Sequence, residues 1–478
     1  MSTRTKKRSR ILNFVLLGLM ALLAAMTAIV IATTAGRGMM PTGYIITILI
    51  IVGAILIVSI FAMKRKWSNI VMIIISGIAC CVMIYAAMFT GEFIKTIDKV
   101  TGKASDVTTI KVAVLKDSRY DSLEDLEGKT LSYSASDEED TIDKVIADIN
   151  EHVSGCDYTK SQNLMNLADD LRSGDTDAII VNEGQVAMFD EVDGYETFKD
   201  EIKYIYSIDI TKSVEISEDS LGDVFTLYIS GIDTYGSPAA TSRSDVNIIA
   251  VVNRKTKHIQ LINTPRDAYV YLPNSGDMKD KLTHAGIYGI ENSMQTIGDL
   301  YDIDLDGYMR VNFTGFQEII DSIGGVDVYS DQDFTVAGGG FSFVKGMNHM
   351  NGIEALAFAR ERKSLENGDS QRGIHQMRVI EAIISKLTSS GELLSNYKGV
   401  LGGLSESMQT SVPSGTIYGM INQQLSDSSG WNIDSYAVTG TGTNAETYSM
   451  PGTQLYVFIP DEDSIEEAKR LIKAVQSE

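Results

Sequence analysis

Three uncharged, mostly apolar stretches open the chain, at residues 11–34, 44–63 and 68–90. Each supplies the roughly 20 residues that a helix needs to cross a bilayer. Three in succession exceed what a cleaved signal peptide explains. From residue 107 the pattern changes to short apolar runs alternating with amphipathic stretches. It predicts a strand over 109–115, helices over 142–149 and around 164–171, and a buried strand from Asp177. A polar, acidic segment near 211–223 separates this small α/β unit from a larger one. There, 224–230 alternates as a strand, and the runs 248–252 and 258–263 flank a polar turn, Asn253-Arg-Lys-Thr-Lys257, which predicts a β-hairpin. Further strands are expected over 308–312 and from Val326, and helices over 290–301, 313–323, 351–362 and 373–387. Met377, Ile380, Ile383, Ile384 and Leu387 form a core stripe on the last. Strands alternating with helices imply an α-β-α sandwich with a mixed central sheet. The expected organisation is a basic tail (1–10), a three-helix membrane anchor (11–91), an α/β accessory domain (92–215) and the main domain (216–478).

Charge gives the anchor a direction. Nine Lys or Arg and no acidic residue precede Glu92, so residues 92–478 carry −31 against −22 for the whole chain. Five basic residues precede the first span and Lys64-Arg65-Lys66 follows the second, against Arg37 alone between the first two. The positive-inside rule puts the tail and the Lys64 turn in the cytoplasm and residues 92–478 outside. A body that acidic repels nucleic acid. Three cysteines make no disulfide framework.

Candidate chemistry gathers at the hairpin. It delivers Arg243 and Asp245 at one end and Arg266 and Asp267 at the other, and antiparallel pairing brings those ends together. Two cations and two carboxylates at one sheet edge suit a phosphate site with a metal; surface salt bridges are the plain alternative. Arg360 and Arg362, two apart, point to different sides of a helix but to one side of an extended segment, so joint binding requires the helix to end there. Arg372 and Gln376 are i, i+4 and share a face. Arginine's planar fork of donors matches phosphate oxygens. Asp233 follows the 224–230 strand. The apolar residues Met309, Val311, Phe313, Phe316, Ile319 and Ile320 suit either an apolar channel or plain core.

Residues 224–390 resemble the catalytic domain of the LytR-CpsA-Psr (LCP) family of cell-wall glycopolymer ligases. The resemblance rests on Ser242-Arg-Ser-Asp, Asn263-Thr-Pro-Arg-Asp, Lys281-Leu-Thr-His-Ala, Val311-Asn-Phe-Thr-Gly-Phe, Ile323-Gly-Gly-Val-Asp-Val, the run Met350 to Arg362, and Gln371-Arg-Gly-Ile-His-Gln. Three spans, an accessory domain and the tail from Leu455 are similar to the capsule-assembly members. The resemblance implies transfer of a glycopolymer from a polyprenyl-pyrophosphate carrier onto peptidoglycan through a phosphodiester. It implies Mg²⁺, or Mn²⁺ in its place, on Asp233 and Asp245. Arg243, Arg266, Arg360, Arg362, Arg372 and Gln376 would bind the pyrophosphate, with Arg243, Arg266 and Asp267 at the reacting centre. Asp267 would orient an arginine or act as base. Met309, Val311, Phe313, Phe316 and Ile320 would line a channel for the lipid tail. A Gram-positive source and contact with polysaccharide synthesis or export machinery are further implications. Asn263-Thr-Pro stands where Ser-Ile-Pro is usual, and Asn247 where Thr is. Rival readings are a polyprenyl-pyrophosphate hydrolase, a non-catalytic lipid-binding regulator, and a transcription attenuator, against which the short cytoplasmic part argues.

Overall fold

A computed structural model of the protein describes residues 3–101, 104–214, 219–232, 237–366, 368–389 and 407–478. Three helices, α1 (Thr3–Ala35), α2 (Thr42–Ala62) and α3 (Lys66–Thr101), are long and apolar enough to cross a membrane. The last runs well beyond the apolar stretch that predicts it. Its end meets the main domain: Ile94 and Ile97 pack with Met39 of the α1–α2 loop and with Tyr418, and Asn422 Nδ2 donates to Gly38 O at 2.8 Å. The globular body therefore sits on the side of that loop, opposite the basic Lys64 turn.

In the accessory domain, β1 (Ser105–Leu115), β2 (Thr130–Ser134), β3 (Asp157–Ser161), β4 (Ala178–Asn182) and β5 (Ile202–Ser213) form one sheet in the order β3-β2-β4-β1-β5. Helix α4 (Glu139–His152) buries Ile142, Val145 and Ile149 on one face. Helix α5 (Leu164–Ser173) buries Leu164, Leu167 and Leu171 on the other. Of these strands, β2, β3 and β5 have no counterpart among the expected elements. β5 does alternate, with Tyr206, Ile208 and Ile210 packed half-buried against the α4 side of the sheet, but it lies at the sheet edge and runs into the polar segment near 211–223.

The main sheet has the order β10-β9-β6-β7-β8-β11, built from β6 (Val224–Ile232), β7 (Ser244–Asn253), β8 (His258–Asn263), β9 (Gly307–Asn312), β10 (Met408–Thr410) and β11 (Asn432–Ala437). β6, β7 and β8 are antiparallel neighbours, whereas β9 joins β6 and β11 joins β8 in parallel. The apolar run 248–252 is buried on both faces, which is why it does not alternate. Ile248 and Ala250 pack with Met377 of one long helix, Gly368–Ser389. Ile249 and Val251 pack with Ile297 of Ile290–Tyr301 and Ile472 of Glu462–Ser477. Helices on both faces give the expected α-β-α sandwich.

Asp106 joins the two domains. It accepts from Arg310 Nη1 at 2.7 Å and from Ile290 N at 2.9 Å. Arg310, only 2% exposed, also donates to Gln409 Oε1 at 2.6 Å. Beside this pair, Val107 N donates to Ala239 O and Thr241 N to Val107 O. An arginine buried in the main domain is thus neutralised by a carboxylate of the accessory sheet. Removing one partner of a buried ion pair leaves the other charge uncompensated. Asp106→Ala is expected to cost about 3–5 kcal/mol of unfolding free energy, measured by urea denaturation of the detergent-solubilised protein. A loss below about 1 kcal/mol would be the signature of a solvated, exposed pair instead.

Candidate functional site

The hairpin positions the site as its register dictates. Ile248 pairs with Asn263 and Thr264 N donates to Asn247 O, so the residues flanking the two strands face one another. Arg266 Nη1 then donates to Asp245 Oδ1 at 2.9 Å, and Thr283 Oγ1 donates to the same oxygen at 3.3 Å. From this pair a chain of alternating charge extends. Arg266 Nε lies 3.7 Å from Asp267 Oδ2, and Lys281 Nζ lies 3.4 Å from Asp267 Oδ1. Lys281 Nζ donates to Glu191 Oε2 at 2.6 Å, and Arg243 Nη1 to Glu191 Oε1 at 2.9 Å. Burial by itself raises the Asp245 carboxyl, but Arg266, Arg372 and Arg243 outweigh it and hold the group below its ordinary range.

The long helix Gly368–Ser389 reaches the same place. Gly373 rests on the end of β8 so closely that a Cβ there would come within 2.0 Å of Asn263 Oδ1. That approach brings Arg372 to the network, with Nη2 2.6 Å from Asp369 Oδ1. Burial pushes the Asp369 carboxyl up despite Arg372, and Asp267 adds to the rise. Arg266 Nε and Arg372 Nε are buried and have no hydrogen-bond partner among the described residues. Buried guanidinium donors are rarely left unpaired.

Arg360 ends the helix Gly352–Arg360, two residues before the expected end, and Glu361 is extended with φ −66° and ψ 134°. The buried Glu361 carboxylate makes this break by accepting from Ala337 N, Arg362 N and Ser364 N at 2.7–2.9 Å. Arg360 and Arg362 consequently meet the condition for acting on one side; both are exposed, and Arg360 stacks on Phe313 at 4.1 Å. Gln376 shares its face with Arg372 but donates to Ala359 O at 3.3 Å, which braces the turn before Arg360.

Met309, Val311 and Phe316 are half-buried. Register places Met309 and Val311 beside Ile229 and Gly231 on the sheet face that Gly368–Ser389 covers. Phe313 and Ile319 are buried. Ile320 does not line a channel: it is fully buried among Ile323, Val326, Val328, Phe358 and Val379, an interior of its own. Asp233 lies outside the described residues; Ile232, the last described before it, pairs with Ser244. Among the described residues no three His, Cys, Asp or Glu side chains form a metal-binding cluster. Mg²⁺ does not require one, because it binds through one or two carboxylates together with waters and phosphate oxygens, and Asp245 supplies a suitable hard donor.

Three network members escape the expectations above. Lys281 stands in a noted motif without an assigned role. Its own N–H donates to Asp280 Oδ1, and Asp280 is in turn held by His284 Nδ1 at 2.7 Å and by Ser449 Oγ at 3.1 Å, all fully or nearly buried. Asp369 is an unmarked acidic residue next to Gly368. Glu191 belongs to the accessory domain, in the turn Ala187–Glu191, and nothing in the sequence ties it to Arg243. Burial would raise its carboxyl, but His284, Lys281 and Arg243 together lower it to about 2. With a folded value below the ordinary 4.5, Glu191 contributes stability above pH 4.5 that is lost as pH falls toward 2. Glu191→Gln is expected to lose about 3 kcal/mol at pH 7, measured by denaturant titration. The gap to wild type should narrow between pH 4.5 and 3; a gap constant with pH would show that the carboxylate is not held as an anion.

Comparison with known proteins adds a lineage to this geometry. Residues 190–473 match the LytR_cpsA_psr family, and residues 90–214 match the family described as NMT1/THI5 like. The chain is 32% identical over 211 residues to the polyisoprenyl-teichoic acid–peptidoglycan teichoic acid transferase TagU of Bacillus mycoides, covering 44% of this chain and 67% of that one. It is 29% identical over 259 residues to the corresponding transferase TagV of Bacillus subtilis, covering 52% and 64%. The crystal structure of B. subtilis TagV superposes with a TM-score of 0.44 at 27% identity, over 53% of this chain and 97% of that one. With the family's match spanning more than half of its length, the chain belongs to the LytR-CpsA-Psr family.

Proposed function

We propose that this protein is a membrane-anchored phosphotransferase that moves a glycopolymer from a polyprenyl-pyrophosphate carrier onto peptidoglycan. The observation that carries the reading is the pair of buried donors, Arg266 Nε and Arg372 Nε, that lack a hydrogen-bond partner among the described residues within a network of alternating charge. A diphosphate supplies pairs of acceptor oxygens that the planar guanidinium fork matches. The relatives' names point the same way, to polyisoprenyl-linked teichoic acid as donor and peptidoglycan as acceptor. Teichoic-acid-like and capsular polymers both fit a site that grips the diphosphate, the part such donors share.

The transfer joins an acceptor hydroxyl oxygen to the sugar-side phosphorus and breaks the bond to the second phosphate, which leaves on the lipid. Such steps need positioning and charge neutralisation more than covalent help. Arg266 and Arg372 would clamp the diphosphate from below, while the exposed Arg360 and Arg362 would close on it from the rim. Arg243 and Lys281 would neutralise its flank. Asp267, between Arg266 and Lys281, orients both cations, a role that suits its contacts better than taking a proton. Mg²⁺ on Asp245 would add charge neutralisation at the phosphate oxygens. Met309, Val311 and Phe316 offer half-exposed apolar surface for the lipid. The body's position beside the α1–α2 loop, with the basic tail and turn cytoplasmic, would set the site outside the cell near the outer leaflet.

Organic extracts of the purified protein, analysed by mass spectrometry, should contain a polyprenyl pyrophosphate or phosphate that an Arg266→Ala, Arg360→Ala variant lacks. Transfer onto peptidoglycan fragments should fall by about 10²–10³-fold for Arg266→Ala alone. If neither protein carries lipid after loading with synthetic polyprenyl pyrophosphate, the arginines are salt-bridge partners and the proposal fails. Release of free polymer in place of attachment would make the protein a hydrolase.

A further inference from the structure

The accessory sheet has an edge that the transfer reaction does not use. β2 leads through α4 to β3 on one flank, while β4 lies on the other, so the connections part at the carboxyl ends of β2 and β4. Open α/β sheets bind ligands at such a parting. Here that edge abuts the main domain. Asn163 Nδ2 donates to Pro451 O at 2.8 Å, and a Cβ on Gly184 would come within 3.0 Å of Thr241 O.

Asp137, just past β2, accepts from Ser134 N at 3.0 Å and from Gln185 Nε2, just past β4, at 2.9 Å. A carboxylate only accepts, so this bond fixes the amide and leaves Gln185 Oε1 as an acceptor turned away from Asp137. Gln185 is 4% exposed, and its Oε1 has no partner among the described residues. On the main-domain side Tyr288 packs beside Tyr448, with ring centroids 6.3 Å apart, and the Tyr288 hydroxyl is likewise buried and unpartnered. The two halves are close, because Ile287, next to Tyr288, packs with Val186 and Met188, which follow Gln185, in one apolar cluster. Lys160 only weakly eases Asp137, since its ammonium lies 3.6 Å from Glu139. Burial therefore prevails and pushes the Asp137 carboxyl up to about 6.

Water could occupy such a junction, but it would leave the carboxylate's charge without a counter-ion. An anion would be repelled, and a neutral polyol has the same shortcoming as water. A protonated amine compensates the charge, donates to Gln185 Oε1 and the Tyr288 hydroxyl, and suits neighbouring aromatic faces. We propose that Asp137, Gln185 and Tyr288 form a binding site for the ammonium group of a small amine, at the junction of the accessory and main domains. Gln185 and Glu191 belong to one short segment, so occupancy at this site bears on the carboxylate that holds Arg243 and Lys281. The inference does not depend on the transferase reading.

Thermal unfolding of the full-length protein in detergent tests it, with ethanolamine and putrescine as probes and N-acetylethanolamine and ethylene glycol as neutral controls. At least one amine should raise Tm saturably where the controls do not, as a ligand specific for the folded state must. Asp137→Asn should weaken that amine by at least about tenfold, since it removes one partner of a buried charge pair. Gln185→Leu keeps the carboxylate, should weaken binding as well, and serves if Asp137→Asn does not fold. Amines acting no better than the neutral controls, or equally on wild type and both variants, overturn the proposal and leave a hydrated polar junction. Either result leaves lipid binding by the arginines to be judged separately, because no arginine is altered.

Discussion

Several guanidinium and ammonium groups can share a buried cluster only if carboxylates alternate with them, and this constraint shapes the main domain. The link between Arg266 and Asp245 across the mouth of the hairpin is its first term. Asp267 then separates Arg266 from Lys281, Glu191 separates Lys281 from Arg243, and Asp369 accompanies Arg372. Buried ion pairs of this kind seldom add net stability over well-packed apolar side chains. What the alternation provides is a set of cations held in fixed places, with some donors still unused. That is the arrangement a diphosphate site requires, because preorganised charge has no reorganisation cost when the ligand arrives.

The same constraint makes the accessory domain part of the site. A spacer between membrane and catalytic domain would need neither Asp106 in the core beside Arg310 nor Glu191 among the cations. Both carboxylates cross the boundary to neutralise buried charges of the main domain. Leu164, Met165 and Met188 also pack with Ile287, Met450 and Leu455 in one apolar cluster. The two units share one interior, and the accessory sheet turns the carboxyl ends of β2 and β4 toward the main domain. The anchor is tied in as well, since the end of α3 and the α1–α2 loop both touch the helix Ser414–Ser426 that carries Tyr418 and Asn422.

Local patterning made much of this legible. The apolar stretches predict three long helices, and the two short runs with a polar turn predict β7 and β8. Antiparallel pairing alone then places Arg243 and Asp245 near Arg266 and Asp267. Arg372 and Gln376 share a helix face because helical periodicity puts them there. Polar elements were harder: β3 buries only Ser161, so no run or alternation of apolar residues marks it. Gln376 shows the limit of face arguments, because a residue on the right face still bonded the backbone at Ala359. Ile320 shows the limit of apolar spacing, which cannot tell a channel wall from a core.

By itself, then, the sequence determined the anchor, the alternation of strands and helices, the hairpin and the residue types able to bind a phosphate, all of which depend on neighbours within a few turns or one tight hairpin. Tertiary structure alone decided that Glu191 joins the network from 52 positions away and that Asp106 neutralises Arg310 from 204 positions away. It also decided which apolar residues became core and which stayed half-exposed. Coulombic and packing energies depend on distance in space, and no local pattern encodes which distant carboxylate will close a charge.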